Sequence, residues 1–168
     1  MNRQNFFVSF CVLILGLSIQ SFAQVLLPEI KVLAVNYKYL GAVNNKAVAV
    51  PVKQLERKAA VFDLKDTDFY EDEYDNYFVT FFIPEGKILA AYDKNGKLLH
   101  TAEKFKNIAL PLLVSQSVAK KYPNWHIAKD VYLVNYHESN GVTKKYKILL
   151  ENGTKRMRIK TNEKGEFI

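Results

Sequence analysis

The histidines are the residues of this chain whose chemistry could serve catalysis or metal binding. His100, His126 and His137 are the only three, and none of them has the i, i+4 spacing that holds a zinc ion on one helix face. No Gly-x-Ser-x-Gly elbow, glycine-rich phosphate loop or Ser-x-x-Lys motif accompanies them. The sequence therefore predicts a protein that is not an enzyme and that has no catalytic residues, no metal site and no cofactor.

The acidic loop 66–75 is the one segment that suggests a bound cation. It contains Glu71, Asp72, Glu73 and Asp75, and calcium is bound in proteins by carboxylate and other oxygens. The spacing does not match an EF-hand loop, however, and the glycine of its sharp turn is missing. A solvated loop is the favoured interpretation, and a calcium-responsive or structural envelope protein is the alternative that stays open.

Two rows of side chains alternate along the predicted strands, because every second residue of a strand points to the same side of the sheet. One row is apolar and suits packing under helices: Val79, Phe81, Ile83, Tyr146, Ile148 and Leu150. The other row is aromatic at one end and basic at the other, and large bare apolar patches often mark contact sites. The alternative is that an N-terminal strand or a loop covers Phe78 and Phe82, and that the basic row is only solvated. The predicted partner-binding residues are Phe78, Thr80, Phe82, Leu89, Lys145, Lys147, Arg156, Arg158 and Lys160.

The first 23 residues have the pattern of an export signal. An apolar run over 6–19 is too short to cross a bilayer, and Ser21-Phe22-Ala23 supplies the small residues that a signal peptidase reads. The mature protein is predicted to begin at Gln24, to be periplasmic or secreted, and to have no transmembrane segment. The only cysteine, Cys11, lies within the signal, so no disulfide is expected.

An internal repeat organises the rest of the chain. Its copies span 50–109 and 110–168, and each opens on an apolar-Pro-apolar triplet that predicts a helix with Pro51 or Pro111 in the first turn. Antiparallel strands with glycine turns follow each helix, and residues 24–49 are predicted to be an extended segment with a leading strand over 29–39. The sequence thus predicts an α+β fold: two tandem helix-plus-antiparallel-strand repeats that form one sheet, with the helices on one face, in one joined domain.

The chain resembles the PepSY-like proteins, whose fold matches that of the β-lactamase-inhibitor protein. The resemblance covers about residues 50–168 and implies architecture rather than activity. The inhibitor uses disulfides, which the mature chain would lack, so the resemblance does not extend to inhibition of a β-lactamase. It rests on Tyr77-Phe78-Val79-Thr80-Phe81-Phe82, Ala91-Tyr92-Asp93-Lys94-Asn95-Gly96-Lys97-Leu98, Tyr122-Pro123-Asn124-Trp125 and Val131-Tyr132-Leu133-Val134.

The charge balance bears on the class of partner. The net charge is +7, which can steer negatively charged molecules, but an exported protein seldom meets nucleic acid. We therefore expect a binding protein that uses its open sheet face to contact an unknown protein, peptide or cell-envelope component.

Overall fold

Six antiparallel strands form the centre of the fold in the computed structural model, which describes residues 34–71 and 73–168. The strands are hydrogen-bonded in chain order, so each neighbours the next one along the sequence. β1 and β6 are consequently the two edges of the sheet. The strands are β1 (Asn76–Ile83), β2 (Gly86–Asp93), β3 (Leu98–Lys106), β4 (His126–His137), β5 (Gly141–Asn152) and β6 (Lys155–Asn162).

In the described part of the chain, three helices precede or interrupt the strands: α1 (Tyr37–Val43), α2 (Val50–Val61) and α3 (Leu112–Lys121). The order after α1 is helix, three strands, helix, three strands, and the predicted α+β class is confirmed. Pro51 lies in the first turn of α2, as predicted. Pro111 instead precedes α3 as its N-cap residue, so the prediction that it lies within the first turn is wrong by one position.

The core lies on one side of the sheet, where buried residues of the helices join it. Val52 and Leu55 of α2 and Val118 of α3 belong to the same hydrophobic cluster as the inward row of β5. That row is Tyr146, Ile148 and Leu150, each at most 1% exposed. Burying a large apolar side chain contributes about 1.5–3 kcal/mol, so this row fixes which side of β5 faces inward. The predicted register is therefore confirmed for β5.

Residues 34–43 differ from the prediction. A leading strand was expected over 29–39, and of that range only 34–39 are described; 34–36 precede α1 and 37–39 belong to it, so they do not form a strand. Tyr39 and Val43, one turn apart, are both buried, and the Asn36 amide donates a 3.1 Å hydrogen bond to the Phe62 carbonyl after α2. Burial of one helical face and this link to α2 stabilise the helix. The predicted export signal and its cleavage site at Gln24 lie outside the described residues.

Gly165 sets the contact between α3 and the chain that follows β6. Its φ is +84°, a conformation that favours glycine. A Cβ atom there would also lie 2.6 Å from Ser117 Oγ and 2.7 Å from the Leu113 carbonyl oxygen. Only glycine meets both conditions, so this residue lets the turn after β6 lie directly on α3.

Candidate binding face of the sheet

The nine predicted partner-binding residues all lie on the side of the sheet opposite the core, which we call the open face. Residues directly opposite each other in an antiparallel ladder share a face, and Thr80 pairs with Leu89 while Leu149 pairs with Arg158. The ladder from β1 to β6 links the aromatic and basic ends without a change of face. The strands thus assemble the predicted residues on one surface: Phe78, Thr80, Phe82, Leu89, Lys145, Lys147, Arg156, Arg158 and Lys160.

The aromatic end of the open face is exposed. Phe78 is 68% exposed, Phe82 is 78% exposed and Leu89 is 39% exposed. Among the described residues, no strand or loop covers the two phenylalanines, and residues 29–33 of the predicted N-terminal strand lie outside that range. Burying such side chains against a partner would be favourable at about 25 cal/mol per Å² of apolar surface.

The basic end is larger than the sequence indicated. The register adds Lys104, Lys106 and Lys129 beside it, from β3 and β4, and it places Lys87 opposite Phe82 at the aromatic end. Two pairs of lysines lie directly opposite each other, Lys87 with Lys104 and Lys147 with Lys160. Like charges that face each other across strands destabilise a sheet, so these pairs cost folding free energy.

Acidic residues do little to neutralise these charges. Glu151 accepts an ion pair from Arg156 at 2.9 Å and lies 3.5 Å from His126. Within residues 34–71 and 73–168, Arg156 is the one lysine or arginine of the open face with a carboxylate in ion-pair range. The remaining cations leave the surface strongly positive.

A shallow groove crosses the basic end of the open face. Its volume is about 420 Å³, and it runs over β4, β5 and β6. Val131 and Leu149 line it beside Lys147, Arg158 and Lys160. The groove therefore combines an apolar floor with a cationic rim, which suits a ligand that has both apolar and negatively charged groups.

The histidines include one pair that sequence spacing could not reveal. His100 and His137 lie opposite each other on β3 and β4, with ring centroids 6.2 Å apart. Two imidazoles do not complete a tetrahedral metal site. Among the described residues, no three His, Cys, Asp or Glu side chains gather as a metal site would require.

The described part of the acidic loop contacts the sheet and the β2–β3 turn through its tyrosines. The rings of Tyr74 and Tyr77 meet at 5.8 Å, and the Tyr70 hydroxyl donates to the Lys94 carbonyl at 2.8 Å. Glu71, Glu73 and Asp75 are exposed, and Asp72 lies outside the described residues. The described part of this loop thus provides ring contacts to the sheet rather than a gathered set of carboxylates.

A second polar cluster lies in the interior, between the helices and the sheet. Glu56 of α2 and Glu103 of β3 are each 2% exposed. Burial, reinforced by the Glu103 charge, raises the pKa of Glu56 to about 8. Burial also raises the pKa of Glu103 to about 7, although hydrogen bonds from Tyr39 and Thr101 and the charge of Lys144 oppose the shift. These carboxyl groups are closed off from solvent, so they bear on stability rather than on partner contact.

No protein-family model matches the chain, and no curated protein matches it either. Among the described helices, none combines the length and apolar character needed to span a membrane.

Proposed function

We propose that this protein is an exported, non-enzymatic binding protein whose open face contacts a negatively charged protein, peptide or cell-envelope component. The observation that carries the proposal is the pair of lysines Lys147 and Lys160, opposed across β5 and β6 on an exposed surface. The fold would be more stable with a neutral residue at either position. A partner that supplies negative charge would offset this cost, because it would neutralise both lysines on binding.

The aromatic end supports a contact surface rather than a purely solvated one. Phe78 and Phe82 are 68% and 78% exposed, and aromatic side chains that become buried on binding supply much of the binding energy of protein interfaces. The groove over Val131 and Leu149 adds apolar surface beside the cations. The cations of the open face can thus steer a charged partner towards it, and its apolar residues can hold that partner in contact.

The finer architecture is part of the same proposal. We infer that 50–109 and 110–168 are tandem PepSY-like repeats, because each comprises one helix followed by three antiparallel strands. A superposition of α2–β1–β2–β3 on α3–β4–β5–β6 tests this inference. If α2 and α3 crossed their own three strands at unrelated angles, the inference would be refuted. Export rests on the pattern of residues 1–23. The calcium alternative has no supporting observation among the described residues.

A binding titration with two anionic probes tests the function. The probes are poly-glutamate and vesicles containing phosphatidylglycerol, which separate an acidic peptide from an anionic lipid surface. We expect one of them to bind, with affinity that falls as salt rises, and to bind less well to the Lys147→Gln variant. Lys94→Gln, in the exposed β2–β3 turn, is the matched control. Failure of both probes to discriminate the variant from the control would contradict the proposal.

A further inference from the structure

The two edges of the sheet differ in a way that bears on assembly. β6 carries Lys155, Arg156, Arg158 and Lys160, and its Thr161 forms a bridge with Phe167. β1 has the sequence NYFVTFFI, with no charged residue and no proline. Charged side chains and covering segments are how native proteins prevent sheet edges from pairing. β6 is therefore protected against pairing, whereas β1 has neither form of protection from the residues that the structure describes.

The outer edge of β1 has hydrogen-bonding groups to offer. In an antiparallel ladder, every second residue of an edge strand directs its N–H and C=O away from its neighbour. β1 pairs with β2 on one side, and no other strand in the described part of the chain pairs with it. The exposed Phe78 and Phe82 lie on this edge strand, so a second strand could approach it.

We propose that β1 pairs antiparallel with β1 of a second copy, about a two-fold axis that passes between the two Thr80 residues. In this register Phe78 lies directly opposite Phe82 of the second copy, and by symmetry the contact occurs twice. On the core side, Val79 lies opposite Phe81 of the second copy. Aromatic and β-branched cross-strand pairs of this kind stabilise antiparallel sheets.

The sequence of β1 favours this register over the registers in which the axis moves by one residue. Moving the axis by one residue, to Val79 or Phe81, separates Phe78 from Phe82 of the second copy and breaks both aromatic contacts. Pro84 follows β1 and has no N–H to donate, so it ends the pairing just beyond Ile83. The sequence of β1 is thus complementary to itself about Thr80.

Pairing of this kind closes at two copies. Over residues 34–71 and 73–168 each copy has one unprotected edge, and a two-fold contact uses the same edge on both. The axis is normal to the sheet, because the two strands are antiparallel within one sheet. Both open faces then lie on the same side, so the dimer would present two basic surfaces together. The inference stands independently of what the open face binds.

Site-specific crosslinking tests the register. All variants carry Cys11→Ser, which removes the chain's only cysteine. Opposed residues in an antiparallel pair have Cα atoms about 4.5–5.5 Å apart, within the range of roughly 4.4–6.8 Å that a disulfide spans.

We expect Thr80→Cys to form a dimer under mild oxidation, and a mixture of Phe78→Cys and Phe82→Cys chains to form a mixed dimer. Thr143→Cys, on the same face but in β5, is the control and stays monomeric. Crosslinking of Thr80→Cys no faster than the control would overturn the proposal.

A measurement of mass in solution checks the dimer without a cysteine. Light scattering of the unmodified chain should give a mass that rises from monomer to dimer with concentration. Thr80→Lys places two ammonium groups face to face at the axis and should keep the chain monomeric, whereas Thr143→Lys should not. Circular dichroism confirms that both variants fold. A monomer mass at every concentration, or a dimer that Thr80→Lys leaves intact, would rule the pairing out.

Discussion

The hydroxyl of Tyr39 donates a 2.8 Å hydrogen bond to Oε1 of Glu103, which joins α1 to β3 inside the protein. Thr101 donates to the same oxygen at 2.9 Å. Glu103 and the neighbouring Glu56 have an ordinary pKa of 4.5, which the fold raises to about 7 and about 8. The folded protein therefore holds protons that the unfolded chain releases.

This relationship predicts an unusual dependence of stability on pH. Because the folded state binds more protons than the unfolded state, the free energy of unfolding should fall as pH rises from about 4.5 to about 8, and change little above that. Each carboxyl contributes at most about 1.4 kcal/mol per pH unit. Thermal melts across this range measure the slope.

The variant Glu56→Gln isolates one of the two carboxyl groups. It removes a group that ionises inside the core, so it should be more stable than the unmodified chain at high pH and similar to it near the acid end. Glu73→Gln, in the exposed loop, is the matched control. Stability that rises with pH, or a slope that Glu56→Gln leaves unchanged, would show that the buried pair does not govern the titration.

Substitution of the exposed phenylalanines should barely affect folding. Phe78→Ala and Phe82→Ala should each change the free energy of unfolding by less than about 0.5 kcal/mol at low protein concentration, where self-association does not contribute. Phe105→Ala, at a position that is 0% exposed, should cost about 3–5 kcal/mol. Denaturant titrations compare the three. If Phe78→Ala behaved like Phe105→Ala, the aromatic end would belong to the core.

Charge reversal on β6 should act mainly on association kinetics. Arg158→Glu should slow association with whichever anionic probe binds and reduce its salt dependence, because exposed charges steer encounter more than they hold a complex. Arg158 is preferable to Arg156, whose change would also break the ion pair with Glu151. Stopped-flow measurements against Lys94→Glu provide the comparison. An unchanged association rate would remove β6 from the binding face.

The alternation of side chains made much of the sheet predictable. Tyr146 and Ile148 were assigned to the core face from period two alone, because a one-residue slip would expose both. Alternation alone does not indicate that β3 continues to Lys106, because a charged residue, Glu103, occupies an inward position there. Its burial depends on partners from α1, which local sequence does not indicate.

The alternation of side chains along each strand also predicted part of the candidate site. The rows of β1, β5 and β6 follow from alternation within each strand. Lys104 and Lys129 were missed because their place on the open face depends on how β3 pairs with β4, a long-range register. The leading strand predicted over 29–39 overlaps α1 at 37–39. α1 is short and has no side-chain cap, and its helical form depends on burial of Tyr39 and Val43.

Processing of the chain has a direct readout. The Ser21-Phe22-Ala23 triplet predicts cleavage before Gln24. Intact-mass measurement of protein from the native envelope fraction should give a chain that begins at Gln24. Recovery of the full-length chain in a membrane pellet would instead make residues 1–23 an anchor.

We propose that Lys147 and Lys160, opposed on the open face, serve binding at a cost in folding stability. The most direct test is the melting temperature of Lys147→Gln and Lys160→Gln, each measured with and without the anionic probe that the unmodified chain binds. Removing one lysine should stabilise the fold by about 0.2–1 kcal/mol, a shift on the order of a few degrees. The same variants should show a smaller rise in melting temperature when the probe is added, because they bind it less well. Variants that melt at or below the unmodified chain and keep its full response to the probe would contradict the account.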